Sequence, residues 1–140
     1  MHLYRTSLMA AAVALTQAVT MLPAAAVSPS ETIAPAFRQA IPNVPGKSLV
    51  AVVVRYEPGA KSAPHRHGRS AFITGYVLTG AIRSQVNDEP ARLYRAGASW
   101  TEAPGAHHAV SENASTTEPA SLLAIFVVDS AETELTTVDR

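Results

Sequence analysis

Histidine is the residue type in this 140-residue chain whose spacing points most directly to chemistry. His65-Arg66-His67 places two imidazoles two residues apart. Residues i and i+2 of a β-strand project from the same face, so both rings can reach one ion. Neutral imidazole coordinates zinc at about 2.0–2.1 Å and also suits iron, copper and nickel. The pattern predicts a site for one divalent transition metal, and two surface histidines on a strand are the alternative.

A second histidine segment, His107-His108, follows the turn Pro104-Gly105. Adjacent residues of a strand point to opposite faces, so only one of these two rings can join the first pair. His108 shares its face with the apolar Val110, which favours His108 as the inward ligand. His107 remains the alternative third ligand.

Other side chains near these segments are candidates for catalysis and for binding a small-molecule ligand. Glu102 lies just before the Pro104-Gly105 turn and can act as a general base or orient a ligand histidine. A solvated position at the rim of the fold is the alternative for Glu102. Tyr76, Arg83 and Gln85 are candidates for lining the pocket and binding an anionic substrate, and an outward-facing structural role is the alternative for each. Phe72 is a further candidate pocket residue, expected to make one wall apolar.

Short segments of alternating side chains must position these residues. Residues 50–56 carry valines and Tyr56 at even positions and Arg55 on the opposite face, which indicates a strand with its even-numbered side chains inward. Further strands are predicted at residues 72–78, 81–86, 91–94, 99–101, 107–112 and 122–128, with the turn 87–90 forming a hairpin. Regular short strands without helical periodicity indicate an all-β sandwich or barrel.

The two ends of the chain differ from this β-rich centre. Residues 1–26 start with positive charge, continue through an apolar stretch and end in small residues, which predicts a cleavable signal peptide. We therefore expect a periplasmic or secreted protein without a stable membrane anchor. Residues 27–46 are proline-rich and predict an extended arm with a short helical turn near 36–40. The barrel is expected over 47–129, and the polar tail 130–140 is expected to fray or to lie on the surface.

Composition excludes several classes of function. The chain has 11 basic and 11 acidic residues, so no basic surface indicates a nucleic-acid partner. It has no cysteine, which excludes disulfides, thiolate catalysis and a cysteine zinc site.

The two histidine segments resemble the two motifs of the cupin superfamily. The first motif, a His-x-His between two glycines, is matched by Gly59, His65, His67 and Gly80. The second motif is matched by Gly97, Gly105 and His108, with Ala103 in place of a proline and Asn113 one residue late. The resemblance covers residues 49–128. It implies a double-stranded β-helix (jelly-roll) barrel, often a homodimer, with the metal in its mouth.

One departure from the cupin pattern bears on the chemistry. The glutamate of the first motif has no counterpart, because its position falls on Ala71, Phe72 or Ile73. Three neutral imidazoles would leave a divalent ion its full 2+ charge and favour an anionic, bidentate ligand. Cupin dioxygenases that act on thiols or diketones are similar in lacking this carboxylate. The resemblance thus implies an Fe(II)-dependent dioxygenase of a small anionic or chelating organic substrate, with Zn, Mn, Ni or Cu as alternative metals.

Two other functions remain open at this point. A non-catalytic periplasmic binder of a small molecule or metal fits the lack of a clearly placed acid or base. A metal-assisted isomerase or hydrolase needs a general base, for which Glu102 is the candidate.

Overall fold

The computed structural model describes residues 30–140, and every regular element in this range is a β-strand. The predicted signal peptide lies outside the described residues. Within residues 30–140, no helix could span a membrane. The strands in chain order are β1 (Glu31–Ala40), β2 (Lys47–Tyr56), β3 (His65–His67), β4 (Phe72–Thr79), β5 (Ala81–Val86), β6 (Arg92–Arg95), β7 (Ser99–Glu102), β8 (His107–Asn113), β9 (Ala120–Asp129) and β10 (Thr136–Val138).

These strands form two five-stranded antiparallel sheets. The first sheet has the order β1-β2-β9-β4-β7 and the second the order β10-β3-β8-β5-β6. Neighbours that are distant in sequence, such as β2 beside β9 and β3 beside β8, are typical of a jelly roll. The predicted all-β architecture is confirmed, and the turn at 87–90 joins β5 and β6 as the predicted hairpin.

The core lies between the two sheets and follows from the alternation of side chains along the strands. Val50, Val54 and Tyr56 of β2 are buried, as expected for even-numbered residues that face inward. Ile73 and Val77 of β4 are almost completely buried. Each such aliphatic side chain contributes roughly 1.5–3 kcal/mol when it leaves water. This burial fixes the register of the strands, since a slip of one residue would turn each apolar row outward.

The segment predicted as a proline-rich arm contains a strand of ten residues. β1 pairs with β2 from Glu31, opposite Tyr56, to Ala40, opposite Ser48. The predicted helical turn near 36–40 is wrong, because these residues belong to this ladder. Pro35 lies beside a register shift, where a residue without an amide hydrogen is tolerated.

The polar C-terminal segment is also attached to the fold rather than frayed. β10 pairs with β3, which places Thr136 opposite His67. The side chain of Asp139 accepts a hydrogen bond from His107 at 2.7 Å. The carboxylate of Glu132 accepts hydrogen bonds from the backbone amides of Arg69 and Ser70 at 2.9 Å each. The tail therefore supports the strand that carries His65 and His67.

Candidate metal centre

His65, His67 and His108 form a cluster that can hold a metal ion. Each ring offers one nitrogen, and these nitrogens lie within 4.8 Å of one another. The cluster spans two neighbouring strands, because the register of β3 on β8 places His65 opposite His108. His67 and His108 are buried, whereas His65 is half-buried. The structure thus brings together the three histidines that the sequence motifs indicate.

A β-bulge decides which of the two adjacent histidines faces inward. Val86 is opposite His108 but Gln85 is opposite Val110, so β8 contains one extra residue at this point. As a result His108 and Ser111 are both buried although they are an odd number of residues apart. The expectation that Val110 shares the inward face of His108 is therefore wrong, since Val110 is only half-buried. His107 points away from the cluster and pairs with Asp139.

Glu102 supplies a carboxylate to the same cluster. It is buried, and its Oε2 lies 3.0 Å from Nε2 of His67 while its Oε1 lies 3.4 Å from Nδ1 of His108. Oε1 also accepts a hydrogen bond from the indole of Trp100 at 2.9 Å. The register of β4 on β7 places Ile73 opposite Glu102.

Glu102 of the neighbouring strand β7 therefore supplies the carboxylate that the cupin motif places near Ile73. This corrects the expectation of a site with no carboxylate near the histidines. A bound divalent ion would share the site with one negative charge and would not keep its full 2+ charge. The solvated rim position considered for Glu102 is also wrong, because Glu102 is buried.

The protonation states of the cluster suit metal binding. Burial lowers the pKa of His108 to about 4, and burial also lowers the pKa of His65. Both rings are neutral near pH 7, which is the form that coordinates a metal. Burial by itself would raise the pKa of Glu102, but its contacts with His67 and His108 outweigh burial and lower it. The cluster thus combines the neutral imidazoles of His65 and His108 with an ionised carboxylate.

Unpaired polar atoms show that these residues fit a metal ion. In residues 30–140, both ring nitrogens of His67 and Oε2 of Glu102 are buried without a hydrogen bond, although Nε2 of His67 and Oε2 of Glu102 form an ion-pair contact at 3.0 Å. His65 uses Nδ1 to contact the carbonyl of Ala63 at 2.8 Å, which leaves its Nε2 free. Unpaired buried polar groups are costly, so their concentration at one point indicates an external partner. A cation satisfies this donor set of nitrogens and a carboxylate.

Comparison with known proteins agrees with this architecture and this cluster. A family profile described as the Cupin domain matches residues 52–126, which is more than half of the chain. The chain belongs to the cupin family. No curated protein matches this cupin in a sequence search.

Solved structures share the fold of this cupin at low sequence identity. A protein with a double-stranded β-helix domain from Klebsiella pneumoniae has 19% identity and a TM-score of 0.60, with 80% of this chain and 84% of that chain covered. The TT1209 protein from Thermus thermophilus has 22% identity and a TM-score of 0.57, with 70% of this chain and 83% of that chain covered. An oxalate oxidase in complex with glycolate has 19% identity and a TM-score of 0.56, with 81% of this chain and 59% of that chain covered.

A cavity of about 140 Å³ opens beside the metal-binding cluster of this cupin. Its walls come from both sheets and are mainly apolar, including Val52, Leu122 and Phe126. The three histidines and Glu102 lie on one part of this wall. No lysine or arginine lines the cavity among the described residues. A ligand in the cavity would therefore touch the metal-binding cluster and an apolar surface together.

The candidate pocket residues Phe72, Tyr76, Arg83 and Gln85 do not line this cavity. On β4 the inward positions are taken by Ile73 and Gly75, so Phe72 and Tyr76 point outward and are 46% and 42% exposed. On β5 the inward positions are those of Ile82 and Ser84. Arg83 is exposed and donates a hydrogen bond to Glu112 at 2.7 Å, and Gln85 is half-buried.

Several residues of this site have no motif that would reveal them in the sequence. Ser84 lies 2.8 Å from Nε2 of His108, which leaves Nδ1 of that ring on the side of Glu102. Trp100 lies on the cavity wall and binds Glu102. The strand alternation places Ser84 and Trp100 on inward faces. It does not show which other inward residues they meet, because that depends on the pairing of distant strands.

Proposed function

We propose that this cupin is a metal-dependent enzyme that binds a compact chelating organic substrate at His65, His67 and His108, with dioxygen as the second substrate. The observation that supports this function is the set of unpaired nitrogens and carboxylate oxygen on the wall of an apolar cavity. The cavity has room for a small organic molecule beside the cluster. A substrate with two neighbouring oxygen atoms would then meet a metal on one side and apolar side chains on the other.

The residues of the chain have distinct roles in this proposal. The three imidazoles would hold the metal. Fe(II) is the metal we favour, because it would supply the redox chemistry that a reaction with dioxygen needs; Zn, Mn, Ni and Cu suit the same ligands. Glu102 orients His67 and offsets part of the positive charge. Apolar walls exclude water, which strengthens each polar interaction in the cavity.

Reconstitution tests this activity directly. The metal-free protein is loaded with Fe(II) without oxygen, and oxygen uptake is then measured with diketones, catechols and thiols. We expect uptake with one of these classes, its loss in His67→Ala, and its retention in His107→Ala, because His107 points away from the cluster. Absence of uptake with every class, although one iron is bound per chain, would contradict the dioxygenase and leave a non-catalytic binder.

Metal-assisted isomerisation or hydrolysis is the second candidate, and one observation favours it. Oε2 of Glu102 is buried and forms no hydrogen bond within residues 30–140, so this carboxylate can accept a proton from a substrate or water bound in the cavity. The discriminating measurement uses oxygen-free conditions and a redox-inactive metal such as zinc. Turnover under these conditions that is lost in Glu102→Gln, while the metal remains bound, would replace the dioxygenase by this second function.

Export is the cellular part of the proposal. It is supported by the sequence of residues 1–26, whose apolar stretch ends in a proline and three alanines. The mature chain would begin close to residue 27 and work in the periplasm or outside the cell. N-terminal sequencing of the protein purified from its native source tests this, and an intact first residue in a cytoplasmic fraction would contradict it.

A further inference from the structure

A chain of hydroxyl groups lines the same cavity as the metal-binding cluster. The phenol oxygen of Tyr56 lies 2.8 Å from Oγ of Ser111 and 2.7 Å from Oγ of Ser62. Oγ of Ser62 in turn donates a hydrogen bond to the carboxylate of Glu31. All four residues line the cavity. The chain crosses between the sheets, because Tyr56 belongs to β2 and Ser111 to β8.

The carboxylate at the end fixes the direction of every hydrogen bond in this chain. An ionised carboxylate only accepts, and each hydroxyl has a single hydrogen to donate. Ser62 uses its hydrogen on Glu31, so Tyr56 must donate to Ser62. The oxygen of Tyr56 must then accept the hydrogen of Ser111. Every hydrogen thus points toward Glu31, and Ser111 retains a lone pair with no donor among the described residues.

Burial keeps this order in place. Tyr56 is 2% exposed and Ser111 is 5% exposed, so water has little access to either hydroxyl. Burial raises the pKa of Tyr56, which therefore keeps its hydrogen near neutral pH. Oγ of Ser111 therefore faces the cavity as a hydrogen-bond acceptor. A ligand group facing Ser111 must be a donor, since a carbonyl or ether oxygen there would meet another lone pair.

We propose that the cavity selects a compact, largely apolar ligand with two neighbouring oxygen atoms at the metal-binding cluster, one of which is a hydroxyl that donates its hydrogen to Ser111. Phenols and enols with a neighbouring oxygen are the class that meets this description. The inference deepens the proposed function and rests on it, because it assumes a metal at the histidines. Glu31 acts at a distance as a positioning residue, since it sets the direction of the chain through Ser62 and Tyr56.

The remainder of the cavity agrees with this ligand class. Its volume of about 140 Å³ is close to that of cavities of about 150 Å³ known to accept benzene. Within residues 30–140, no lysine or arginine lines it, whereas the carboxylates of Glu31 and Glu102 both do. A ligand with further negative charges would therefore be repelled. The sequence left open whether the substrate is anionic or chelating. The cavity favours a chelating substrate with a single ionisable group.

A pair of matched ligands tests the selection. Catechol and 2-methoxyphenol both offer two neighbouring oxygens, but the ether of the second has no hydrogen for Ser111. Their dissociation constants are measured by calorimetry on the full chain loaded with zinc, which has no redox chemistry and prevents turnover. We expect catechol to be preferred by the wild type. That preference should fall by about tenfold in Ser111→Ala, the loss of one buried hydrogen bond.

A second variant excludes an effect of size. Glu31→Gln leaves the volume near Ser111 unchanged, but its amide can donate to Ser62 and so permits the chain to reverse. The preference for catechol should fall in Glu31→Gln and return toward the wild-type value in Glu31→Asp. Ser121→Ala is the control, because the hydroxyl of Ser121 contacts Thr79 on the surface and does not line the cavity.

The outcomes separate this inference from the proposed function. An equal preference for catechol in the wild type, Ser111→Ala and Glu31→Gln, with one zinc bound in each, would overturn the hydroxyl chain and leave the metal centre intact. Failure of both ligands to bind the zinc-loaded wild type would also overturn the ligand class. Failure of the wild type to bind any metal would instead contradict the proposed function.

Discussion

The two polar regions of the cavity differ in how completely their atoms are paired. At the metal-binding cluster, both nitrogens of His67 and Oε2 of Glu102 form no hydrogen bond within the described part of the chain, although Nε2 of His67 and Oε2 of Glu102 lie 3.0 Å apart. Along the hydroxyl chain, the side chains of Tyr56 and Ser62 each bond to two neighbours. His67 and Glu102 in the first region and Tyr56 and Ser111 in the second are buried, so the same cost applies to an unpaired atom of either pair. This difference indicates that the cluster is suited to an external cation. In the hydroxyl chain every hydrogen is already donated, and Ser111 offers the one remaining acceptor among the described residues.

Removal of a ligand histidine should have the largest effect, and it should act on the affinity of the cluster for a metal. His108→Ala should lower the affinity for zinc by a thousandfold or more, about 4 kcal/mol, since three ligands become two. Competition with a chromophoric chelator measures the affinity. His107→Ala is the matched control, because the adjacent ring bonds to Asp139 and should leave the affinity unchanged. Equal losses in both variants would remove the distinction between the two histidines.

Acidification should destabilise the metal-free protein through the cluster. The pKa of His108 is about 4 in the folded state and 6.5 in the unfolded chain, so the unfolded chain binds more protons between these values. The free energy of unfolding should therefore fall by about 3 kcal/mol as the pH drops from 6.5 to 4. Urea denaturation at several pH values measures this. The fall should be much smaller in His108→Gln, and an identical fall in that variant would assign it to other groups.

Loss of the carboxylate at the cluster should have a moderate effect. Glu102→Gln keeps the size of the side chain but removes the charge beside His67 and His108. We expect the affinity for zinc to fall by about 10–100-fold, as for other groups that support metal ligands. Glu112→Gln is the control, since Glu112 pairs with Arg83 on the opposite face of the sheet. An unchanged affinity in Glu102→Gln would show that its unpaired oxygen does not interact with the metal.

The smallest effect is expected where the polar atoms are already paired. Tyr56→Phe removes the hydroxyl that joins Ser62 and Ser111, and this should lower the free energy of unfolding of the metal-free protein by about 1–2 kcal/mol. Chemical denaturation measures the change. Tyr76→Phe should have almost no effect, because Tyr76 is 42% exposed. A destabilisation by Tyr56→Phe no greater than that by Tyr76→Phe would show that the chain does not hold the two sheets together.

The features that the sequence predicts are those that depend on short spacing. The alternation along β2 and the His65-x-His67 pair follow from the two-residue period of a strand, which is a local property. On β9 the even-numbered side chains are buried and the odd-numbered ones up to Val127 are half-buried, which follows the same two-residue period. The inward direction of His108 was inferred from parity with Val110, but the bulge in β8 makes that parity invalid. The position of His108 in the second motif predicts the same direction without the parity.

The features that the sequence did not predict depend on the pairing of distant strands. The position of Glu102 beside the histidines follows from the register between β4 and β7, which local spacing does not encode. β1 and β10 form because their edges meet β2 and β3, and neither segment has a strong strand signal of its own. The outward direction of Phe72 and Tyr76 follows from the inward burial of Ile73 and Val77.

The metal content of the purified protein tests the central claim most directly. The full chain, His65→Ala and His107→Ala are purified in parallel from the compartment where the protein resides and are examined by elemental analysis. We predict about one transition-metal ion per chain in the wild type and in His107→Ala, and almost none in His65→Ala. Equal metal content in all three proteins, or no metal in the wild type after exposure to iron, zinc, manganese, nickel and copper, would contradict the three-histidine centre.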